Sequence, residues 1–256
     1  MGRPRRNHRD PMCYHITHRC HGREFLLRFQ KDRRKYLLRL HQMSRRYSVD
    51  VLSYMVTGNH VHLLVWSGHA GAVSEAMHFL QGTVAGDYNR RKRREGAFWR
   101  GRYHPTLVES GSHLSRCVFY IDLNMVRAKA CRHPSEWVGG AFAEALGGRL
   151  RYRIIDRERL KWCLGMPDWS DPAFCAWYEA TIEEEVQRAA HLVRQPFWSE
   201  AVAVGSEEWV TRLVPNIRNV RIERADVPGG VGEDPGVYAA YAPKRSREDF
   251  WREEQR

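Results

Sequence analysis

The chain lacks several things, and each absence excludes something. Its six cysteines, Cys13, Cys20, Cys117, Cys131, Cys163 and Cys175, form no CxxC pair and no regular framework. That argues against a disulfide-stapled secreted scaffold, and a reducing cytoplasm is the simplest setting. No apolar run approaches a membrane span, and the opening Met1-Gly-Arg-Pro-Arg-Arg6 is not followed by the apolar core of a signal peptide. The expectation is a soluble, cytoplasmic protein with no membrane partner. Acidic residues are outnumbered, 30 Asp and Glu against 42 Lys and Arg, for a net charge of +12. That excess favours a polyanionic partner, nucleic acid first.

What the chain does have is histidine at strand periodicity. Gly58-Asn59-His60-Val61-His62-Leu63-Leu64-Val65 reads as a turn followed by a strand. Val61, Leu63 and Val65 face a core, so His60 and His62 share the opposite face, roughly 6–7 Å apart. Two adjacent imidazoles on a rigid strand can hold a divalent cation. The spacing alone fits a polar strand face more readily. A second stretch, at Tyr120 to Asn124, shifts the balance.

In chain order, residues 1–11 read as a basic arm and residues 12–148 as the main domain. Residues 12–20 form a strand with Tyr14 and Ile16 inward. His15, Thr17 and Arg19 then fall on the His60/His62 face if the pairing is antiparallel and in register. The cluster Cys13, His15, His18, Cys20 and His21 suggests zinc, but no pair has the spacing of a zinc knuckle. Residues 25–47, with Leu37, Leu38, Leu40 and Met43 among basic side chains, suit an amphipathic helix. Two strands follow at 48–57 and 59–66, then a helix over 70–91 with Met77, Leu80, Val84 and Tyr88 as its stripe, then a fourth strand over 104–109. This order predicts an α+β fold, a ferredoxin-like or RRM-like four-stranded antiparallel sheet with both helices on one face. The other face, bearing His60 and His62, is expected to be open to a ligand.

Arg90, Arg91, Lys92, Arg93 and Arg94 run into Gly96-Ala-Phe98-Trp99-Arg100-Gly-Arg102-Tyr103. Cations interleaved with rings are what a single-strand site needs, cations for phosphates and rings such as Trp99 for bases. Arg19 joins this set from the histidine face. The rival reading is a solvated helix end followed by core aromatics.

Ser112 is placed as the N-cap of a helix running to about Ala130. Leu114, Cys117, Val118 and Ile121 form its core stripe, and Arg116, Tyr120, Asn124 and Arg127 a second one. Beside two strand histidines this second stripe becomes chemistry. A metal at His60 and His62 polarises a phosphodiester. Tyr120 attacks it. Asn124 supplies a neutral oxygen ligand or orients the phosphate, and Arg116 and Arg127 neutralise flanking phosphates.

Gly58-Asn-His-Val-His-Leu-Leu64 and Tyr120-Ile-Asp-Leu-Asn-Met-Val-Arg-Ala128 resemble the two signatures of the single-tyrosine HUH transposases, and among them the REP-associated tyrosine transposases. The resemblance spans about Tyr14 to Trp137. It implies an HUH nuclease core that cuts and rejoins single-stranded DNA at hairpins. It also implies a divalent metal, Mg²⁺ or Mn²⁺, and a 5′-phosphotyrosine intermediate. By motif, His60 and His62 match the metal ligands, Tyr120 the nucleophile and Asn124 the polar residue one turn on. The chain departs from the pattern at Met125, where a proline is usual, so the helix is expected to continue. It departs again at Val138-Gly139-Gly140, where a serine pair is usual, which bears on any hairpin contact there. A monomer and a homodimer exchanging the tyrosine helix both remain open.

Residues 149–224 read as a helical extension, with helices at 155–164, at 172–194 bearing Glu183, Glu184 and Glu185, and after Ser206. Residues 225–256 are expected to be a disordered tail. The alternative function is a non-catalytic nucleic-acid-binding regulator on an RRM-like sheet, for which no nucleophile is required. A structural zinc protein built on Cys13 and Cys20 is the other.

Overall fold

The computed structural model describes residues 11–69, 71–148, 151–188, 193–214, 220–226 and 236–242. The basic arm, except its last residue, and most of the expected tail lie outside them. Four strands, β1 (Met12–Arg19), β2 (Val49–Val56), β3 (His60–Ser67) and β4 (His104–Val108), form an antiparallel sheet in the order β2-β3-β1-β4. Helices α1 (Gln30–Arg46) and α2 (Ala72–Lys92) follow β1 and β3. This is the ferredoxin-like arrangement that the element order predicts.

Residues directly opposite in an antiparallel pair point to the same face. Tyr14 is paired with Val65 and Ile16 with Leu63, and all four are buried. They meet α1 and α2, whose buried stripes are Tyr36, Leu40 and Met43, and Val73, Ala76, Met77, Leu80 and Val84. Each such aliphatic side chain contributes about 1.5–3 kcal/mol by leaving water. Two ion pairs also join the helices. Arg39 Nε donates to Asp87 at 2.7 Å, and Arg91 is paired with the buried Asp32.

The first helix begins at Gln30 and not at Phe25. The Leu27 amide bonds to the Gly58 carbonyl at 2.9 Å, which ties this segment to the β2–β3 turn instead of to a helix. The helix after β4, α3 (Ser112–Asp122), has Gly111 as its cap, with Ser112 inside it. It does not run on to Ala130. Leu123 sits at ψ 2° and separates it from a single turn, α4 (Asn124–Arg127), so Met125 does not prolong the helix. At the second departure, a Cβ on Gly139 would lie 2.5 Å from the Val56 carbonyl oxygen. Close approach to β2, continued by a Val56 amide to Gly139 carbonyl bond of 2.8 Å, requires glycine there.

Short α5 (Phe142–Ala145) leads into the extension, which carries α6 (Arg157–Cys163), α7 (Asp171–Gln187), α8 (Phe197–Glu200) and α9 (Glu207–Leu213). Asp156, Ser170 and Ser206 cap α6, α7 and α9 by accepting from main-chain amides. The extension is not purely helical. β5 (Ala203–Gly205) pairs parallel with β4, β7 (Tyr238–Tyr241) pairs with β5, and β6 (Arg221–Arg224) with β7, making seven strands among the described residues. β7 lies within the stretch expected to be disordered. Without β5, the edge of β4 would present unpaired main-chain groups. Among the described residues no helix is long and apolar enough to cross a membrane.

Candidate active site

In β1 and β3 Thr17 is opposite His62 and Arg19 opposite His60, so His15, Thr17, Arg19, His60 and His62 share one face. That face is not open. α3 and α8 pack on it, and His15 and His62 are buried. The Tyr120 ring on α3 lies 6.2 Å from the His62 ring and 6.5 Å from the His15 ring, edge-on to both. The Trp198 ring of α8 is 6.0 Å from Tyr120 on another side. Asn124, at the start of α4, brings its amide nitrogen to 3.2 Å from His62 Nε2. The two strand histidines, the tyrosine and the asparagine therefore meet at one place within a single chain.

Hydrogen bonds determine which ring nitrogens are bare. His60 Nδ1 is 2.8 Å from Asn59 Oδ1 and 2.9 Å from the Thr57 hydroxyl. The Asn59 amide nitrogen donates to the Arg23 carbonyl, so Oδ1 is the acceptor and Nδ1 carries the hydrogen. His62 Nδ1 is 2.9 Å from His15 Nε2, and His15 Nδ1 is 2.7 Å from the Trp198 carbonyl oxygen. A carbonyl can only accept, so His15 Nδ1 donates. Burial keeps the three rings neutral: it pushes His15 and His60 down to about 4 and His62 well below its ordinary value. Neutral His15 then accepts at Nε2 from His62 Nδ1. His60 and His62 are each left with Nε2 bare.

Among the described residues, no three His, Cys, Asp or Glu side chains come close enough together to hold a metal ion. The donors at this centre are two imidazole nitrogens and the Asn124 amide, which presents its oxygen when turned over. Neutral nitrogens with an amide oxygen leave positions open for phosphate oxygens, so this set fits a catalytic divalent ion better than a closed structural one. The N-terminal zinc arrangement is not formed. The Cys13 thiol meets Cys163 at 3.7 Å, and His18 stacks on Trp99 and bonds the Gly101 carbonyl.

Cations gather around Tyr120. The Arg127 guanidinium lies 3.9 Å over its ring and donates to its carbonyl at 2.6 Å, and the other terminal nitrogen, Nη1, is buried with no partner. Arg127 and Arg194 both favour the phenolate, but burial outweighs them and raises the hydroxyl's pKa. Arg194 and Tyr120 also act on Arg19, which places Arg19 in the same cluster. Arg116 is half-buried one turn before Tyr120.

The basic run divides. Arg91 is spent on Asp32 and Arg94 on Glu24, whereas Arg90, Lys92 and Arg93 are exposed. Arg100 and Arg102 are exposed on the loop before β4. Trp99 is not a free platform, because its ring is stacked 4.1 Å from His18 and its Nε1 donates to the Gln81 carbonyl. Two rings that sequence reasoning missed are out in solvent instead, Phe25 and Phe29, exposed by 66% and 53%. Phe25 packs on Gly58, two residues before His60, and Phe29 is surrounded by Arg28, Lys31 and Lys92 at 5.7–5.8 Å. Their signal was an Arg-flanked aromatic pair, hidden by the assumption of a helix there.

Residues 9–124 match the family model described as transposase IS200 like. This stretch is similar to that family, and it contains His60, His62, Tyr120 and Asn124. The matched region ends at Asn124, so Arg127 and the whole extension lie beyond it. Among solved structures, one titled as a REP-associated tyrosine transposase bound to a REP hairpin is similar at TM-score 0.48 and 15% identity, over 57% of this chain and 86% of that one. A protein of Deinococcus radiodurans R1 assigned as a transposase is similar at TM-score 0.35 and 15% identity, over 51% of this chain and 98% of that one. At that level neither bears on the substrate. No curated protein matches the chain.

Proposed function

We propose that the chain is a metal-dependent endonuclease and strand transferase of the REP-associated type, acting on single-stranded DNA at hairpins through a 5′-phosphotyrosine on Tyr120. One observation carries this reading. The bare Nε2 atoms of two strand histidines, the Asn124 amide and the Tyr120 ring meet at one spot beside a guanidinium with an unpartnered nitrogen. A regulator that only binds nucleic acid has no use for a buried tyrosine so placed.

A divalent ion, Mg²⁺ or Mn²⁺, held by His60, His62 and Asn124 supplies Lewis-acid polarisation of the scissile phosphate. The remaining work belongs to the chain. Arg127 Nη1 donates to a phosphate oxygen as its missing partner, and Arg19 and Arg194 add charge against the phosphate backbone. Burial holds Tyr120 as the phenol until substrate arrives. On attack the Tyr120 oxygen–phosphorus bond forms and the phosphorus–O3′ bond breaks, while the phenol gives up its proton to water and water returns one to the freed 3′ oxygen, which leaves as a hydroxyl. Exposed Arg90, Lys92, Arg93, Arg100 and Arg102 serve the strand, with Phe25 and Phe29 as stacking rings. That Tyr120 and Asn124 reach His62 within one chain supports cleavage by a monomer.

His60→Ala and His62→Ala are expected to abolish cleavage and leave hairpin binding within a few-fold of the parent. Mg²⁺ or Mn²⁺ should support cleavage and a chelator should stop it. Full cleavage in chelator overturns the metal's part in this reading.

A further inference from the structure

The extension beyond the matched family region reaches into the centre at Trp198. The Trp198 carbonyl oxygen accepts from His15 Nδ1 at 2.7 Å, and His15 Nε2 stands 2.9 Å from His62 Nδ1. The same carbonyl also lies 3.3 Å from the Thr106 hydroxyl. Three residues on, the Ala201 carbonyl takes Thr106 at 2.7 Å and His104 Nε2 at 2.8 Å. Residues 197–201 are thereby tied to β1 and β4 through side chains on the histidine face. The Trp198 side chain, 1% exposed, fills the space against Tyr120.

The direction of this chain of bonds has one solution. A carbonyl cannot donate, so the hydrogen on His15 sits at Nδ1. Neutral His15 then accepts at Nε2, the hydrogen on His62 sits at Nδ1, and His62 Nε2 carries no hydrogen, its lone pair turned to the Asn124 amide at 3.2 Å. The rings of His15 and His62 are also stacked, 5.1 Å between centroids at 10°. Both the tautomer and the orientation of His62 are therefore set from behind. Histidines that bind metals commonly donate their second nitrogen to a carboxylate or a carbonyl. Here the carbonyl acts at one remove, through a second imidazole.

We infer that His15, backed by the Trp198 carbonyl, is the positioning residue that presents His62 Nε2 to a divalent cation, so that the C-terminal extension completes a centre whose other parts lie in the transposase domain. The inference rests on the reading of His60, His62 and Asn124 as the ligand set. It assigns the extension a role in catalysis that binding to DNA does not require.

The test has two arms. In the parent protein labelled with ¹⁵N-histidine, nitrogen chemical shifts should show His62 protonated at Nδ1 and bare at Nε2; the opposite tautomer overturns the inference and needs no variant. In the second arm Mn²⁺ binding is titrated by the electron paramagnetic resonance of the free ion. His15→Phe keeps a ring and removes the acceptor, and should weaken Mn²⁺ by roughly 10- to 100-fold. His15→Gln, whose amide oxygen can accept from His62, should recover most of that loss. Unchanged Mn²⁺ affinity in His15→Phe, or a loss that His15→Gln does not recover, makes His15 a packing residue only. A parent that binds no Mn²⁺ at all removes the ligand reading itself, a separate outcome.

Discussion

The Tyr178 hydroxyl donates to Asp122 Oδ2 at 2.6 Å, and through this bond α7 of the extension holds the tyrosine-bearing helix α3. Ser53 lies on the other oxygen at 3.5 Å. Asp122 is wholly buried, and burial pushes its carboxyl up to about 7 despite both donors. The folded value is above the unfolded one, so between about pH 4 and 7 the folded state binds more protons. This group's contribution is greatest at acid pH and falls as pH rises through that window. Asp122→Asn keeps an acceptor for Tyr178 and cannot ionise. Its stability relative to the parent should rise between pH 4 and 8, by at most about 4 kcal/mol for three pKa units. Denaturant unfolding at several pH values checks this, and a difference that does not change with pH contradicts it.

The basic run should behave as two kinds of residue. Arg91 neutralises a buried Asp32, so Arg91→Ala should cost about 3 kcal/mol of folding stability. Arg90→Ala, Lys92→Ala and Arg93→Ala should leave stability nearly unchanged. Each that contacts a phosphate should instead reduce the slope of log affinity against log salt by about 0.7–0.9. Hairpin binding measured from low to moderate salt separates the two. A slope unaltered in the triple variant would mean that these three are only a solvated helix end.

Phe25 and Phe29 should act as stacking platforms. Each truncation to alanine is expected to weaken binding of a hairpin with a single-stranded flank by about 1–3 kcal/mol. Neither should alter binding of the same hairpin trimmed to its duplex. Equal losses on both DNAs would point to a folding defect, which thermal melting then identifies.

How much of this was legible depended on the length over which a pattern runs. His60-Val-His62 alternates within an eight-residue strand, and Tyr120 and Asn124 stand one turn apart, so periodicity alone put each pair on a common face. Placing His15, Thr17 and Arg19 on the same face was conditional on antiparallel, in-register pairing, which the β1–β3 register supplies. The covering of that face was not legible. It depends on α8, four residues long, followed by β5, three residues long, neither of which is long enough to repeat its period. His15 was placed on the correct face, but its role hangs on a main-chain carbonyl 183 residues away, which no side-chain pattern announces. Arg91 and Trp99 look identical in sequence to exposed neighbours. Only Asp32 and His18, brought in by the fold, distinguish them.

The central claim is that Tyr120 is the nucleophile, and one measurement tests it most directly. A single-stranded hairpin substrate, labelled on the 3′ side of the cut, is incubated with the parent and with Tyr120→Phe, and the protein is run on a denaturing gel. Tyr120→Phe loses only the hydroxyl, so it should bind the hairpin as the parent does. The parent should retain the label covalently and Tyr120→Phe should retain none. Label kept from the 5′ side alone would reverse the polarity of the link, and an adduct that persists in Tyr120→Phe would contradict the account.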